Sequence, residues 1–462
     1  MSDEQMQRPT TDNRDAWKAY WNAQGMSWRT EPEIGEERQQ YIAQRRATVP
    51  DIEKGVYPFK DIQLTRADVE WLLATHENGR GPVDWNELRG KNAVERTRTR
   101  RQLDLRGAIL IGENLNGLPL TLLLAGFWQG WTTATPEQRE AAAAHFEGTD
   151  LVGAHLEGAT VRAVHFEGAR LTYAHFDFSK LTETHFEGAD LRGVHFAGAH
   201  LIRTHFEGKQ LTPMEVSLIT RWRPDIELPQ RLLPANLQNA YFDEATSLEW
   251  PTLSTGDGFG SALLADVRWN DTNLGMTDWS QVNRLGDEYD GLRPIRRDGA
   301  PRDEITKLRA KVRTVRAYRQ LALALRSQGV NEDADRFAYR AQLCQRIVLR
   351  RQHEYLRYLG STFLWLIAGY GYKPLRSLLT YIIVVLAFAV AYFFLTPITG
   401  VHFEPLGAVV FSVTSFHGRG FSPGETVALT NLVTVFAAGE AIIGLLIEIT
   451  FIATFTQRFF AR

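Results

Sequence analysis

The chain has little sulfur and no net charge to speak of. Of its 462 residues one is a cysteine, Cys344, and five are methionine. A lone thiol excludes a disulfide within the monomer. The start, MSDEQMQRPTT, has neither a basic opening nor an apolar core, so no secretory signal is read there and the bulk of the chain is expected in the cytosol. Also missing are a nucleophile and base arrangement, a phosphate loop, and any metal-ligand spacing beyond one periodic histidine series. No enzyme activity, cofactor or metal is therefore expected.

What is present is long and uneven. The length implies several domains. The net charge of −2 conceals a basic block: residues 301–376 carry 16 Lys or Arg against 6 Asp or Glu. That block runs directly into SLLTYIIVVLAFAVAYFFL, Ser377 to Leu395, which has no charge at all. Extended from Pro374 to Thr396, the run makes about 33 Å of helix, enough to cross a bilayer. Basic residues beside such a run mark its cytoplasmic end, so a membrane explains the block better than nucleic acid does. A second apolar run, Thr426 to Phe455, is long enough to cross at a tilt and contains Glu440 and Glu448. Lys373 and Arg376 flank the first run, and Arg458 and Arg462 follow the second. The expected topology is two-pass in the cell inner (plasma) membrane, with both termini cytoplasmic and the connecting loop external. Upstream, Trp365, Tyr370 and Tyr372 stand beside basic residues, as in a helix lying in the interface. The other reading is an amphipathic helix docked on protein.

The largest signal is a period of five. From Leu151 to Phe206 a Leu, Val or Phe recurs at every fifth position, with a small or β-branched residue two places before each. Neither helix nor flat strand has this period. The pattern resembles the pentapeptide repeat family, which implies a right-handed four-sided β-helix with four repeats per turn. Weaker repeats run from Leu105 to Leu120, through PANLQNAYF, and through ADVRWNDTNLGMTDWSQV. Interruptions fall at FWQGWTTATPEQREAAAA, read as a helix capped near Thr135, and at Lys209 to Leu233. Histidine keeps its own period of ten: His145, His155, His165, His175, His185, His195 and His205. At four repeats per turn, His145, His165, His185 and His205 stack on one face and the other three on the opposite face, about 4.8 Å apart. Glu147, Glu157, Glu167, Glu187 and Glu207 run beside them. A pH sensor and a metal ladder are two readings of the series. A solvated, partly neutralised face is the favoured one.

Between the apolar runs lies FSVTSFHGRGFSPG, Phe411 to Gly424, preceded by a short apolar stretch from Pro405. The layout resembles the re-entrant pore loop of two-helix potassium channels, and GEAIIGLLIEITFIATF resembles the inner helix of the inward-rectifier group. The resemblance implies a homotetramer in the lipid bilayer that passes an inorganic ion. Its pore loop and filter would be Thr414, Ser415, Phe416, His417, Gly418, Arg419 and Gly420, with Gly444 and Glu448 as pore-lining or gating positions. His417 and Arg419 depart from the potassium filter, so potassium selectivity is not expected. Arg419 either faces the axis or pairs behind the filter with Glu440 or Glu425, the pair with Glu440 being preferred. Eight steps at about 100° put Glu440 and Glu448 about 80° apart around their helix, so they need not share an environment.

The expected architecture is multidomain α and β. Residues 1–100 form a polar N-terminal region with helices, and 101–290 an interrupted pentapeptide-repeat β-helix in the cytosol. Residues 301–372 form a helical hairpin, resembling the tetratricopeptide type, and an interfacial helix; 373–462 form a two-transmembrane-helix pore domain with a re-entrant loop. The expected function is a cation-permeable channel with a non-potassium filter, regulated or scaffolded by the β-helix, which would hold an unknown cytosolic partner. Nucleic acid is not an expected partner. The alternatives are an anion channel with an Arg419 ring and a membrane-anchored binding scaffold with a non-conducting pore.

Overall fold

The computed structural model describes residues 7–51, 53–127, 134–226, 228–255, 260–297, 299–399, 403–418 and 432–460. The chain divides into two compact units, residues 1–334 and 335–462.

In the first unit the five-residue period becomes a β-helix-like coil. Six short strands lie in parallel in chain order: β1 (Leu103–Asp104), β2 (Leu123–Gly126), β3 (Thr160–Arg162), β4 (Lys180–Thr182), β5 (His200–Ile202) and β6 (Ser247–Glu249). Leu103 pairs with Leu123, Thr160 with Lys180, and Lys180 with His200, a step of four repeats per turn. Leu124 pairs with Thr160 and His200 with Ser247, so both interruptions leave the coil and return to it in register. Bridges from Asn236 to Leu263 and from Ser247 to Asn273 carry the coil through the weaker repeats.

Each turn closes because two positions in five point inward. All twelve Leu, Val or Phe positions from Leu151 to Phe206 are at most 1% exposed, and the small residues two before them are fully buried. The phenylalanines stack: Phe146, Phe166, Phe186 and Phe206 form one column with centroids 4.9, 5.3 and 5.5 Å apart. Phe176, Phe196, Phe242 and Trp269 form another, spaced 5.6, 5.2 and 5.3 Å. Each stacked pair adds about 0.5–1.5 kcal/mol beyond the area it buries.

Both interruptions begin alike. Helices α1 (Pro136–Ala142) and α2 (Pro213–Trp222) each start with proline after a threonine cap, Thr135 or Thr212, and reciprocal capping boxes join these to Gln138 and Glu215. The helix near Thr135 is where the sequence places it. Helix α2 docks through Ile219, with Leu211 and Leu232, on Ile109 and Ile111 of the coil.

The coil's ends are covered. Ile62 and Gln63, from the N-terminal region, pair in parallel with Ala108 and Ile109 and add a rung. At the other end the side-chain oxygens of Gln320 and Gln328 accept from the backbone N–H of Asp266 and Leu274, 3.1 and 2.7 Å. Buried Asp287 takes Leu264 N–H and the Gln238 amide there, and burial pushes its carboxyl up to about 6. Edge groups that would otherwise template another strand are thereby occupied. Helices Glu304–Ser327 and Asn331–Arg351 follow.

The second unit is helical: α3 (Tyr355–Ala368), α4 (Pro374–Thr399), α5 (Pro405–Phe416) and α6 (Leu432–Phe460). Within α4 and α6, Leu375–Leu395 and Leu432–Ala453 are long and apolar enough to cross a membrane. Helix α5 packs between them. Phe416 meets Val385 and Ile447 in one cluster, and Phe411 and Ala408 meet Tyr392, Ala389 and Val433 in another. Trp365 of α3 lies between two guanidinium groups, Arg346 at 4.4 Å and Arg376 at 5.1 Å from its ring centre, and its carbonyl accepts from Arg376. Leu356, Leu359 and Leu366 of α3 are exposed, so the aromatic and basic belt adjoins an apolar surface.

Candidate functional site

The first unit holds a column of imidazoles and carboxylates. His145, His165, His185 and His205 pair across successive turns, and their rings stack 5.0, 5.0 and 4.5 Å apart, within 6° of parallel. Half a turn away, His155, His175 and His195 stack at 5.0 and 4.8 Å and continue onto Tyr241. Both ladders match the spacing expected from the sequence. Each histidine of the first column has Nδ1 on the glutamate two residues later: His145 on Glu147 (2.9 Å), His165 on Glu167 (3.1 Å), His185 on Glu187 (3.2 Å) and His205 on Glu207 (3.0 Å).

This face is not the solvated one favoured above. Glu147, Glu167, Glu187 and Glu207 are at most 7% exposed. The physical reason is the second interruption, which folds back over them. Gly168 and Gly188 let Leu228 and Leu232 lie against the coil, where a Cβ would stand 3.1 and 3.2 Å away. Lys209 inserts its Nζ between two rungs, 2.7 Å from Glu167 and 3.4 Å from Glu187, with Glu215 of α2 at 2.9 Å. Burial alone would push the Glu167 carboxyl up, but His165 and Lys209 outweigh it and hold it far below the usual range. Burial likewise opposes charge on Lys209, and Glu167 and Glu187 overcome it and raise its pKa. On the other face His155 is half exposed, while Glu157 beside it is buried and takes the Thr121 hydroxyl.

Among the described residues four groups bring potential metal donors within 4.8 Å of one another: Glu140, His145 and His165; His175, Asp177 and His195; His185, Glu187 and His205; and Glu147, His165 and Glu167. Lys209 and Glu140 were not singled out from the sequence. Lys209 directly follows the last Glu-Gly pair of the repeat and opens the interruption, the one signal that would have marked it.

In the second unit two acids of α6 have different surroundings, as their angular separation allows. Glu440 is fully buried. It accepts from the Tyr392 hydroxyl at 2.6 Å and from Ser412, whose Oγ also lies 2.8 Å from the Val385 carbonyl. Glu448 is partly exposed and bonded to His417 Nδ1, with Tyr381 on the other ring nitrogen at 3.4 Å. Gly444, between the acids, lies against the end of α5: a Cβ there would stand 2.0 Å from the Phe416 carbonyl oxygen.

Of the expected filter residues, Thr414, Ser415 and Phe416 are still helical, in the last turn of α5. Ser415 and Phe416 are buried within the chain, and Thr414 bonds to its own helix. His417 and Gly418 follow the helix and are exposed. Arg419, Gly420 and Glu425 lie outside the described residues, so the expected Arg419 pair with Glu440 falls there too. The structure joins His417 to Glu448, which the sequence reading had assigned separately to filter and cavity.

A repeat-built, β-helix-like domain joined to an apolar helical unit is the class these features define. The repeat has a family: residues 142–174 and 169–208 match the family model for pentapeptide repeats, in eight copies. The chain carries a pentapeptide-repeat domain. Solved structures similar to it include a pentapeptide repeat protein from the Arabidopsis thaliana thylakoid lumen, at 25% identity and TM-score 0.19, over 28% of this chain and 66% of that one. Another is a pentapeptide repeat protein from the cyanobacterium Cyanothece 51142, at 21% identity and TM-score 0.13, over 38% of this chain and 90% of that one. A third is a plasmid-mediated fluoroquinolone resistance protein, at 14% identity and TM-score 0.17, over 41% of this chain and 77% of that one. The chain spans just under two thirds of the first of these. No curated protein matches the chain by sequence.

Proposed function

We propose that residues 335–462 form a two-pass membrane domain that assembles as a homotetramer around an ion path, in the cell inner (plasma) membrane with both termini cytoplasmic. The path is cation-permeable without a potassium filter. The pentapeptide-repeat domain, a right-handed four-sided coil in the cytosol, regulates or scaffolds it. The observation that carries this reading is the His417 and Glu448 pair. Its side chains are 39% and 35% exposed on a surface otherwise made of apolar helix. An acid facing lipid costs several kcal/mol, so such a pair belongs against water or protein. A wet axis shared by several copies supplies both, and a ring of Glu448 there draws cations and binds polyvalent blockers. The short helix α5, held between two spanning helices, supports the reading because non-helical backbone at membrane depth needs such cover.

The test is the reversal potential of purified protein in planar bilayers under asymmetric KCl. A value near the potassium potential, with conductance and polyvalent block reduced by Glu448→Gln, is expected. A value near the chloride potential overturns the cation reading in favour of an Arg419 ring. Absence of conductance, with a cytosolic partner retained by residues 1–300, overturns the channel in favour of a scaffold.

A further inference from the structure

We infer that the pentapeptide-repeat domain binds a small organic phosphate in the cleft between its strand face and the helix Ala93–Thr99, with Arg96, Lys180 and Thr160 holding the phosphoryl group. The site lies in the first unit and is independent of any channel activity. The N-terminal region crosses the coil there with RGKNAVERTRTRR, Arg89 to Arg101, which has six Lys or Arg against one Glu. The crossing is closely fitted. A Cβ on Gly158 would stand 3.0 Å from both the Trp85 ring and Leu122, and Trp85 stacks on Phe178 with centroids 5.5 Å apart. Between helix and coil remains a cavity of about 340 Å³, within the size range of small-molecule sites.

The polar groups of this cavity offer protons that nothing in the chain accepts. Arg96 lies over the Trp85 and Phe178 rings, 4.5 and 4.7 Å from their centres. Its guanidinium makes no hydrogen bond or ion pair among the described residues, although its Nε is buried. Burial lowers its pKa, and no carboxylate offsets the effect. Buried Thr160 accepts from the Gln102 amide at 3.2 Å, and its own hydroxyl proton has no acceptor among the described residues. Lys180 of β4, the rung partner of Thr160, adds an exposed ammonium. Among the described residues none that lines the cavity is acidic. The strand face continues past Lys180 to Arg162 and His200, again without an acid among the described lining residues.

Donors without acceptors call for a ligand that only accepts. A carboxylate brings one charge and two oxygens, whereas a phosphate monoester brings up to two charges and three terminal oxygens. That set matches two cations and a hydroxyl, with two oxygens taking the arginine fork. The organic part follows from the remaining wall. Val94 and Phe178 line the cavity and are 58% and 41% exposed, an apolar surface that a bare phosphate ion would leave uncovered.

The test is equilibrium dialysis of the full-length protein in detergent against labelled AMP, ribose 5-phosphate and inorganic phosphate in turn. One organic phosphate per chain is expected, bound more tightly than the inorganic ion. A preference for AMP assigns the organic part to a planar ring, and a preference for ribose 5-phosphate assigns it to a sugar. Arg96→Gln should weaken binding about 10- to 150-fold, the range for hydrogen bonds to a charged group. Lys180→Gln, at an exposed position where the fold is not at stake, should weaken it about 2- to 5-fold. Arg221→Gln on α2, an exposed arginine away from the cleft, should leave it unchanged. Three results overturn the site: no saturable binding of any of the three, equal affinity in the unaltered chain and both cleft variants, or inorganic phosphate bound as tightly as the organic ones.

Discussion

The two units bury their apolar residues in opposite ways. In the repeat domain every Leu, Val or Phe of the regular series faces its own neighbours above and below, and almost none of their surface is left. In the helical unit Ile383, Leu386, Phe394, Ile442, Ile449 and Ile452 remain more than a third exposed. The first unit is complete as a single chain because stacking supplies each repeat with partners from the same sequence. Among the described residues of the second, the buried clusters lie along the seam where α5 meets α4 and α6, joined there by Ile367 and Ala368 of α3. The difference shows where each unit's stability should reside, and substitutions test it.

The largest effect is expected from Phe186→Ala. Its ring is fully buried between Phe166 and Phe206, so removal leaves a cavity in the column and costs about 3–5 kcal/mol, read as a fall in the unfolding midpoint. Ile383→Ala, at a position 64% exposed in the single chain, should change stability in detergent by no more than about 0.5 kcal/mol. A comparable loss at Ile383 would break the comparison, since it would mean that other copies of the chain cover α4.

Two glycines sharpen it. At Gly126, φ is +82° and a Cβ would stand 1.7 Å from the Arg162 carbonyl oxygen on the next rung. Gly126→Ala therefore combines left-handed strain of about 1–2 kcal/mol with an overlap the backbone must relieve. Gly444 has helical geometry and only the overlap with Phe416, so Gly444→Ala should cost less, about 1–3 kcal/mol, by prising α6 from α5. Equal losses would show that the α5 seam is as rigid as the coil. Tyr392→Phe is next: it leaves a buried oxygen of Glu440 without its hydroxyl partner, at about 1–3 kcal/mol.

How much of this was legible follows the same division. A period of five writes the coil into the sequence one repeat at a time, so inward positions, histidine ladders and the cap at Thr135 are read directly. What sequence does not show is which interruption folds back onto which face. Glu167 reads as an outward polar residue until Leu228 and Lys209, some forty and more residues later, are brought over it. In the helical unit the two long apolar helices and the separation of Glu440 from Glu448 follow from length and helical angle. The His417 bond to Glu448 joins residues 31 apart in sequence, and periodicity carries no information on that contact.

The smallest effect lies within the coil and sets two of its histidines, one from each face, against each other. On the first face burial opposes charge on His205, but the bond it donates to Glu207 and the charges of Glu207 and Glu187 outweigh it and raise its pKa, with Lys209 opposing weakly. On the second, His195 has Ala197 where the first column has glutamate, and burial lowers its pKa, with Asp177 opposing and His175 and Arg268 reinforcing. The signs then differ. A raised imidazole gives stability that is fully present below the unfolded value near 6.5 and is lost as pH rises through the folded value. A lowered one is a penalty that appears as pH falls below that same unfolded value and is complete below the folded one. His205→Asn should flatten the alkaline side of the stability profile and His195→Asn the acid side, read from unfolding midpoints between pH 5 and 9. If both variants flatten the same side, the carboxylate two residues on does not set the difference between His205 and His195. Changes on opposite sides would show that one coil, built from one repeat, carries imidazoles of opposite pH dependence because a single outward position changes from glutamate to alanine.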